Sequence, residues 1–197
     1  MILCNNQLNI IEKETNMDKK TKIIILRGNS GSGKTTVARS LQKKIGHGTL
    51  LISQDVIRRE MLYVNDGIDT KALPFIIELV RYGKDNCDVV ILEGILKAEW
   101  YSELFEQIKK YYGQEIYAYY YDIPFEETLK RHQTKPNCND FGKEEMKRWW
   151  NEKDYIGFIS EKIITVESSF HNTVEMIFQD VMSGDNVMVN NVTDVCS

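Results

Sequence analysis

Short β-branched runs alternate along this chain with stretches whose apolar residues recur every three or four positions. Ile23-Ile24-Ile25-Leu26 is continuously apolar, which predicts a strand buried on both faces. Residues 34–45 follow with Val37, Leu41 and Ile45 on one helical face, and Gly46 stands where such a helix closes. Leu50-Leu51-Ile52 predicts a second strand, and residues 56–63 and 71–84 two further helices. Val89-Val90-Ile91-Leu92 is a third buried strand; Tyr101, Leu104, Phe105, Ile108 and Tyr112 mark a helix; residues 116–121 form a fourth strand. Pro124 opens a helix with Glu126 and Glu127 early and Lys130, Arg131 and His132 late, charges that complement the helix dipole. A polar stretch spans 133–151, and Ile163-Ile164-Thr165-Val166 predicts a fifth strand. The last helix shows Val174, Ile177, Phe178 and Val181 on one face, with Asn172 and Glu175 spaced as a capping box. Apolar strands alternating with amphipathic helices predict an α/β three-layer sandwich, a five-stranded parallel sheet with helices on both faces.

In such sheets ligands bind at the carboxyl ends of the strands. The first strand runs there into Gly28-Asn29-Ser30-Gly31-Ser32-Gly33-Lys34-Thr35, followed by Thr36. This run satisfies G-x-x-x-x-G-K-[ST] in full, after a buried strand and before an amphipathic helix. Its glycines let successive backbone N–H groups turn toward phosphate oxygens, and the helix adds its positive end. Lys34 is placed to reach the β- and γ-phosphates and Thr35 to give a hydroxyl to Mg²⁺. The expected fold is therefore a P-loop NTPase that binds ATP or GTP with Mg²⁺.

The Asn-Lys-x-Asp pattern that reads guanine is absent, and the chain is short for a motor domain with sensor elements. A kinase needs a base for the acceptor hydroxyl, cations for the transferring group and a lid against water. Asp55, just past the second strand, is the candidate base; its alternative role is a helix cap paired with Arg58 or Arg59. Arg58 and Arg59 lie one helical turn on. Glu93 ends the third strand and is a candidate for holding Mg²⁺ through water or for binding a substrate hydroxyl; otherwise it binds a backbone N–H. Gly94 would let a ligand approach closely. Arg131, at the end of the helix after the fourth strand, leads into a stretch with Lys135, Lys143, Lys147, Arg148 and Lys153. Such cations can fold over a γ-phosphate or form a solvated face. Of Trp149 and Trp150 at least one should pack inward. Tyr117, Tyr119 and Tyr121 read as one packed sheet face, and His47, His132 and His171 form no metal spacing.

Composition adds limits. The 197 residues fit one domain, here residues 21–183 with a lid at about 131–153, an N-terminal extension over 1–20 expected to be flexible and a polar tail over 184–197 expected to be disordered. A net charge of −4 gives little drive toward nucleic acid. Cys4, Cys87, Cys138 and Cys196 form no CxxC pair, which argues against zinc and disulfides and fits a reducing cytoplasm. No apolar run spans a bilayer.

Together, residues 28–36, Asp55 with Arg58, the strand 89–94 and the Arg131 lid resemble small P-loop kinases: the kinase module of polynucleotide kinases, the zeta-toxin group and chloramphenicol phosphotransferases. Residues 22–181 are also similar to bacterial uridine-kinase-like proteins, with Leu51-Ile52-Ser53-Gln54-Asp55 and Arg148-Trp149-Trp150-Asn151-Glu152-Lys153-Asp154 contributing. The resemblance implies that Lys34, Asp55, Arg58 and Arg131 are catalytic, with Asp55 as base, Arg58 on the acceptor's phosphate and Arg131 in the lid. It implies ATP-dependent transfer to a hydroxyl of a small molecule, such as a nucleoside, contacted by Asp55, Arg58 and Glu93. The alternatives are a P-loop ATPase that regulates without an acceptor, and a kinase of 5′-hydroxyl polynucleotide ends.

Overall fold

The computed structural model describes residues 20–133 and 142–184. The strands are β1 (Lys22–Gly28), β2 (Thr49–Ser53), β3 (Val89–Gly94), β4 (Ile116–Tyr121) and β5 (Glu161–Ile164). Between and after them come α1 (Lys34–Ile45), α2 (Gln54–Val56), a π-helical turn (Ile57–Met61), α3 (Ala72–Asn86), α4 (Ser102–Tyr112), α5 (Phe125–Gln133), α6 (Lys143–Arg148) and α7 (Phe170–Ser183). The five strands form one parallel sheet in the order β2-β3-β1-β4-β5. This is the α/β P-loop architecture expected from the alternating pattern.

Alternate side chains of the central strands face opposite layers, as the pleat requires. Ile24, Leu26, Tyr117, Tyr119 and Tyr121 meet α1 and α7, so the tyrosines do share one packed face. Ile23, Ile25, Val90 and Leu92 meet α3 and α4. Helix α3 lies so close to the sheet that a Cβ at Gly83 would sit 2.4 Å from Val90 Cγ2. No helix among the described residues is long and apolar enough to cross a membrane.

Several local expectations are corrected. The fifth strand begins at Glu161 and ends at Ile164, because Thr165 turns the chain by accepting from Ser168 N at 3.2 Å. The helix expected over 56–63 starts at Gln54 and widens into the π turn, with Leu62 N donating to Ile57 O at 2.9 Å. Helix α7 is capped by Ser169, whose Oγ accepts from Asn172 N at 3.2 Å, and Glu175 is drawn instead to Lys44. The polar stretch before Asn151 contains α6, where Glu145 reaches back to the Gly142 N–H at 3.0 Å. The expected extension and tail lie almost wholly outside the described residues, as does the lid portion at 134–141.

Arg27 follows the apolar run of β1, next to its last residue Gly28, and it is fully buried. Its guanidinium donates to Leu96 O at 2.8 and 3.0 Å, to Asp154 Oδ2 and O at 2.8 and 2.9 Å, and to Glu161 Oε1 at 2.9 Å. The rings of Phe105 and Tyr120 lie 5.0 and 5.8 Å from it. All five N–H donors are therefore used, and the group ties β1 to the chain leading into β5. Arg27→Met strands the buried Glu161 carboxylate. The expected loss of stability is about 3–5 kcal/mol, read as a lower urea midpoint; a midpoint within error of the parent would show that the pairing contributes nothing net.

Candidate active site

The loop between β1 and α1 is held from two sides by contacts that only glycine permits. A Cβ at Gly28 would lie 2.7 Å from the Tyr121 carbonyl oxygen, and one at Gly31 would lie 2.6 Å from that of Thr128 in α5. Gly31 has φ +82° and Gly33 has φ +100°, left-handed values that turn the backbone inward. Inside this curl the buried Lys34 ammonium donates to Asn29 O at 2.8 Å and Ser32 Oγ at 3.0 Å. The concave backbone, the cation within it and the start of α1 fit a polyphosphate.

Just below, three elements converge. Thr35 Oγ1 of α1 donates to Glu93 Oε2 at 3.1 Å, and Ser53 Oγ of β2 donates to Glu93 Oε1 at 2.5 Å. Parallel register makes this meeting possible, because Glu93 pairs with Ser53 on one side and Leu26 on the other. Glu93 is buried, and its partners are hydroxyls rather than a backbone N–H. A hydroxyl beside a carboxylate is the hard-oxygen donor set that suits Mg²⁺, which keeps its remaining shell from water and phosphate. A hollow of 90 Å³ joins Thr35, Thr36, Glu93 and Asp55 to the loop glycines.

Asp55 sits in the first turn of α2 with its side chain 58% exposed. Its Oδ1 accepts from Arg58 at 2.9 Å and from Arg59 at 3.4 Å, so the expected pairing with an arginine involves both. Arg58 also reaches Val64 O at 3.4 Å, while its Nε is buried without a hydrogen-bond partner. A second, larger cleft of 420 Å³ shares Ser30, Asp55 and Ile95 with the first hollow. Arg58, Arg59, Trp100, Arg148 and Trp149 line it. Glu93 lines the small hollow but not this cleft. Gly94 lines the small hollow, and on the side where a Cβ would project Gln54 Oε1 would lie 2.5 Å away.

Arg131 leans over the phosphate loop, donating to Ser32 O at 3.2 Å and to Glu127 Oε1 at 2.9 Å. Lys143, Lys147 and Lys153 are exposed, as solvated cations would be, and Lys135 lies outside the described residues. Trp150 packs edge-on to Phe125 at 5.1 Å, and Trp149 faces the cleft, which divides the pair as expected. His132 is buried within α5.

Sequence reasoning missed several supports. Gln54 donates to Tyr101 Oη at 2.7 Å and Asp66 Oδ2 at 2.9 Å, and accepts from Ile95 N at 3.0 Å. Tyr101 Oη donates to Asp66 Oδ1 at 2.7 Å, and burial together with the Asp66 charge raises the phenol's pKa. This braces the loop after the π turn. Asn29 exchanges two hydrogen bonds with Asn151: Nδ2 to Asn151 O at 2.7 Å and Asn151 N to Oδ1 at 2.9 Å. No spacing in the sequence links these pairs; the charge at Arg27, directly after the apolar run of β1, was the one visible signal.

A parallel sheet in this order, with a phosphate loop at its carboxyl edge, defines a P-loop nucleotide-binding protein. The chain belongs to the AAA-domain family, whose profile matches residues 23–150. Solved structures of two kinases and of a resistance protein share its fold. The APS kinase of Mycobacterium tuberculosis, solved in complex with AMPPNP and APS, is 15% identical with a TM-score of 0.60, over 83% of this chain and 98% of that one. A gluconokinase from Sinorhizobium meliloti 1021 is 13% identical with a TM-score of 0.56, over 84% and 94%. The tunicamycin resistance protein of Deinococcus radiodurans is 15% identical with a TM-score of 0.57, over 83% and 96%. A comparison with curated proteins finds no match.

The two-sided grip on the loop is directly testable. Gly31→Ala adds a methyl group where there is no room and where φ is left-handed. Its expected effect is loss of nucleotide binding by at least about tenfold with circular dichroism unchanged; normal affinity would mean that the loop does not bind phosphate in this conformation.

Proposed function

We propose that this protein is an ATP-dependent kinase that transfers the γ-phosphate to a hydroxyl of a small molecule. The observation that carries this reading is the pair of adjoining hollows that share Asp55, one against the phosphate loop and one large enough for an acceptor. A nucleotide-dependent regulator has no need of the second.

In this reading the loop N–H groups and Lys34 hold the β- and γ-phosphates, and Thr35 and Glu93 serve the cation. Mg²⁺·ATP, when bound, supplies the phosphoryl group and offsets its charge. Asp55 stands at the join of the two hollows, takes the acceptor's proton and orients its oxygen. Arg58 holds Asp55 and faces the acceptor. Arg131, already over the loop, offers its guanidinium to the transferring group. Residues 21–183 form the kinase domain, and α6 with the chain to Lys153 forms the described part of its lid. The missing Asn-Lys-x-Asp pattern supports adenine over guanine, and the cysteine pattern supports a reducing cytoplasm.

The primary test is transfer of label from γ-labelled ATP across nucleosides, nucleotides, amino sugars, antibiotics and 5′-hydroxyl oligonucleotides. Hydrolysis alone, with no acceptor labelled, would favour the regulatory ATPase. Lys34→Ala is expected to weaken ATP binding. Asp55→Asn is expected to keep ATP binding and lose transfer by about 10²-fold or more; normal turnover on the true acceptor would remove Asp55 from the base role. Glu93→Gln is expected to raise the Mg²⁺ concentration needed for half-maximal rate, and an unshifted Mg²⁺ titration would exclude Glu93 from the cation site.

A further inference from the structure

The phosphate-loop pattern leaves its second position open, because backbone N–H groups and the lysine do the holding. In this chain that position is Asn29, which is buried and has both its polar side-chain atoms engaged. Nδ2 donates to Asn151 O at 2.7 Å and Oδ1 accepts from Asn151 N at 2.9 Å, across 122 positions of sequence. The Asn29 carbonyl oxygen accepts from Lys34 Nζ at 2.8 Å. Asn29 therefore stands between the cation of the phosphate loop and a residue that lines the cleft beside Asp55.

The stretch that Asn29 grips, residues 151–154, is held from outside. Tyr120 Oη accepts from Asp154 N at 3.2 Å and donates to Asn151 O at 3.3 Å. Asp154 Oδ2 accepts from Arg27 and, at 2.9 Å, from Ala98 N, next to the cleft residue Lys97. Lys153 has φ +48°, a left-handed value that a residue other than glycine keeps only where its surroundings hold it. The shape of the stretch thus depends on its clasps. Of Arg27, Asn29 and Tyr120, only Asn29 belongs to the phosphate loop; the other two are strand residues.

We propose that Asn29 is a positioning residue through which nucleotide in the phosphate loop steadies this wall of the cleft. Freeing residues 151–154 breaks both Asn29 bonds and releases the loop from the shape that fits phosphate. A ligand that binds only the clasped form opposes that opening. Opening then becomes rarer by the factor 1 + [L]/Kd, about a hundredfold at 100 times Kd. The proposal rests on nucleotide binding by the loop and needs no transfer of phosphate. On the kinase reading its consequence is that ATP prepares the cleft for the acceptor.

The test is residue-resolved amide hydrogen exchange on the full chain, with Mg²⁺ alone and with Mg²⁺ and the non-hydrolysable ATP analogue AMPPNP at about 100 times its Kd. The reporters are the amides of Asn151 and Asp154, which donate to Asn29 and Tyr120. The control is the Gly113 amide, which donates to Lys109 O at the exposed end of α4. AMPPNP is expected to slow both reporters at least about tenfold, with about a hundredfold as the ceiling, and to leave Gly113 unchanged. In Asn29→Ala, at the same multiple of its own Kd, both reporters are expected to exchange faster, and at one rate with or without AMPPNP. In Tyr120→Phe, Asp154 is expected to exchange faster while AMPPNP still protects Asn151. A merely structural clasp would let Asn29→Ala speed exchange while AMPPNP went on protecting, and that result overturns the proposal. Equal protection at Gly113 overturns it too, because it marks stabilisation of the whole fold. AMPPNP that binds the parent without protecting Asn151 overturns the proposal alone. AMPPNP that does not bind, with the Gly33 and Lys34 amides unshifted, overturns nucleotide binding by the loop along with it.

Discussion

A phosphate cradle has to hold backbone N–H groups away from the partners that secondary structure would give them, yet hold them still. Here that constraint is met by steric contact. The loop after β1 is gripped between the end of β4 and the middle of α5, at Gly28 against Tyr121 and Gly31 against Thr128. Neither contact leaves room for a side chain. Because β4 and α5 form the walls, their positions are tied to that of the loop. Arg131, one turn beyond Thr128 in α5, is thereby carried over the same concavity.

The cleft beside Asp55 depends on a different device. Arg58 and Arg59 stand three and four residues after Asp55, the helical spacings that bring side chains together, and both guanidinium groups meet its carboxylate. The helix then widens into the π turn over Ile57–Met61. π-helical turns are rare and concentrate at functional sites. Beneath it, Gln54 is committed to Asp66, Tyr101 and Ile95, which fixes the start of the helix and leaves Asp55 as the polar group turned to the cleft.

The two sides are joined through the segment that follows α6. Asn29 in the phosphate loop is clasped by Asn151, two residues beyond Trp149, and Arg27 holds Asp154 just after it. Buried polar networks of this kind are costly when incomplete, and Arg27 is complete. The chain that follows α6 is thus anchored to the strand that carries the phosphate loop, so that the wall bearing Trp149 and the loop bearing Lys34 have little freedom to drift apart.

The alternation of apolar runs with helical periods determined the sheet and its layers, because strand burial and helix amphipathicity are local properties of the chain. The bounds of β4 could be read to the residue and those of α1 approximately. Residues 28–36 announced themselves for the same reason: the phosphate loop is made by consecutive residues, and its glycines are required by the backbone they occupy. Asp55 and Glu93 were legible as residues at strand ends, and Arg58 as lying one helical turn beyond Asp55. What the sequence could not supply was partnership across the fold. Ser53 and Thr35 meeting on Glu93, Arg27 joining Asp154 and Glu161, and Trp100 facing the cleft with Trp149 are all set by parallel register and by loops that return from far along the chain. The same limit explains the misread edges. The last strand stops at Ile164 because its β4 partner ends at Tyr121, and the last helix is capped by Ser169 while Glu175 reaches Lys44 in a neighbouring helix. Local pattern decided which pieces form, and their packing alone decided what each polar group touches.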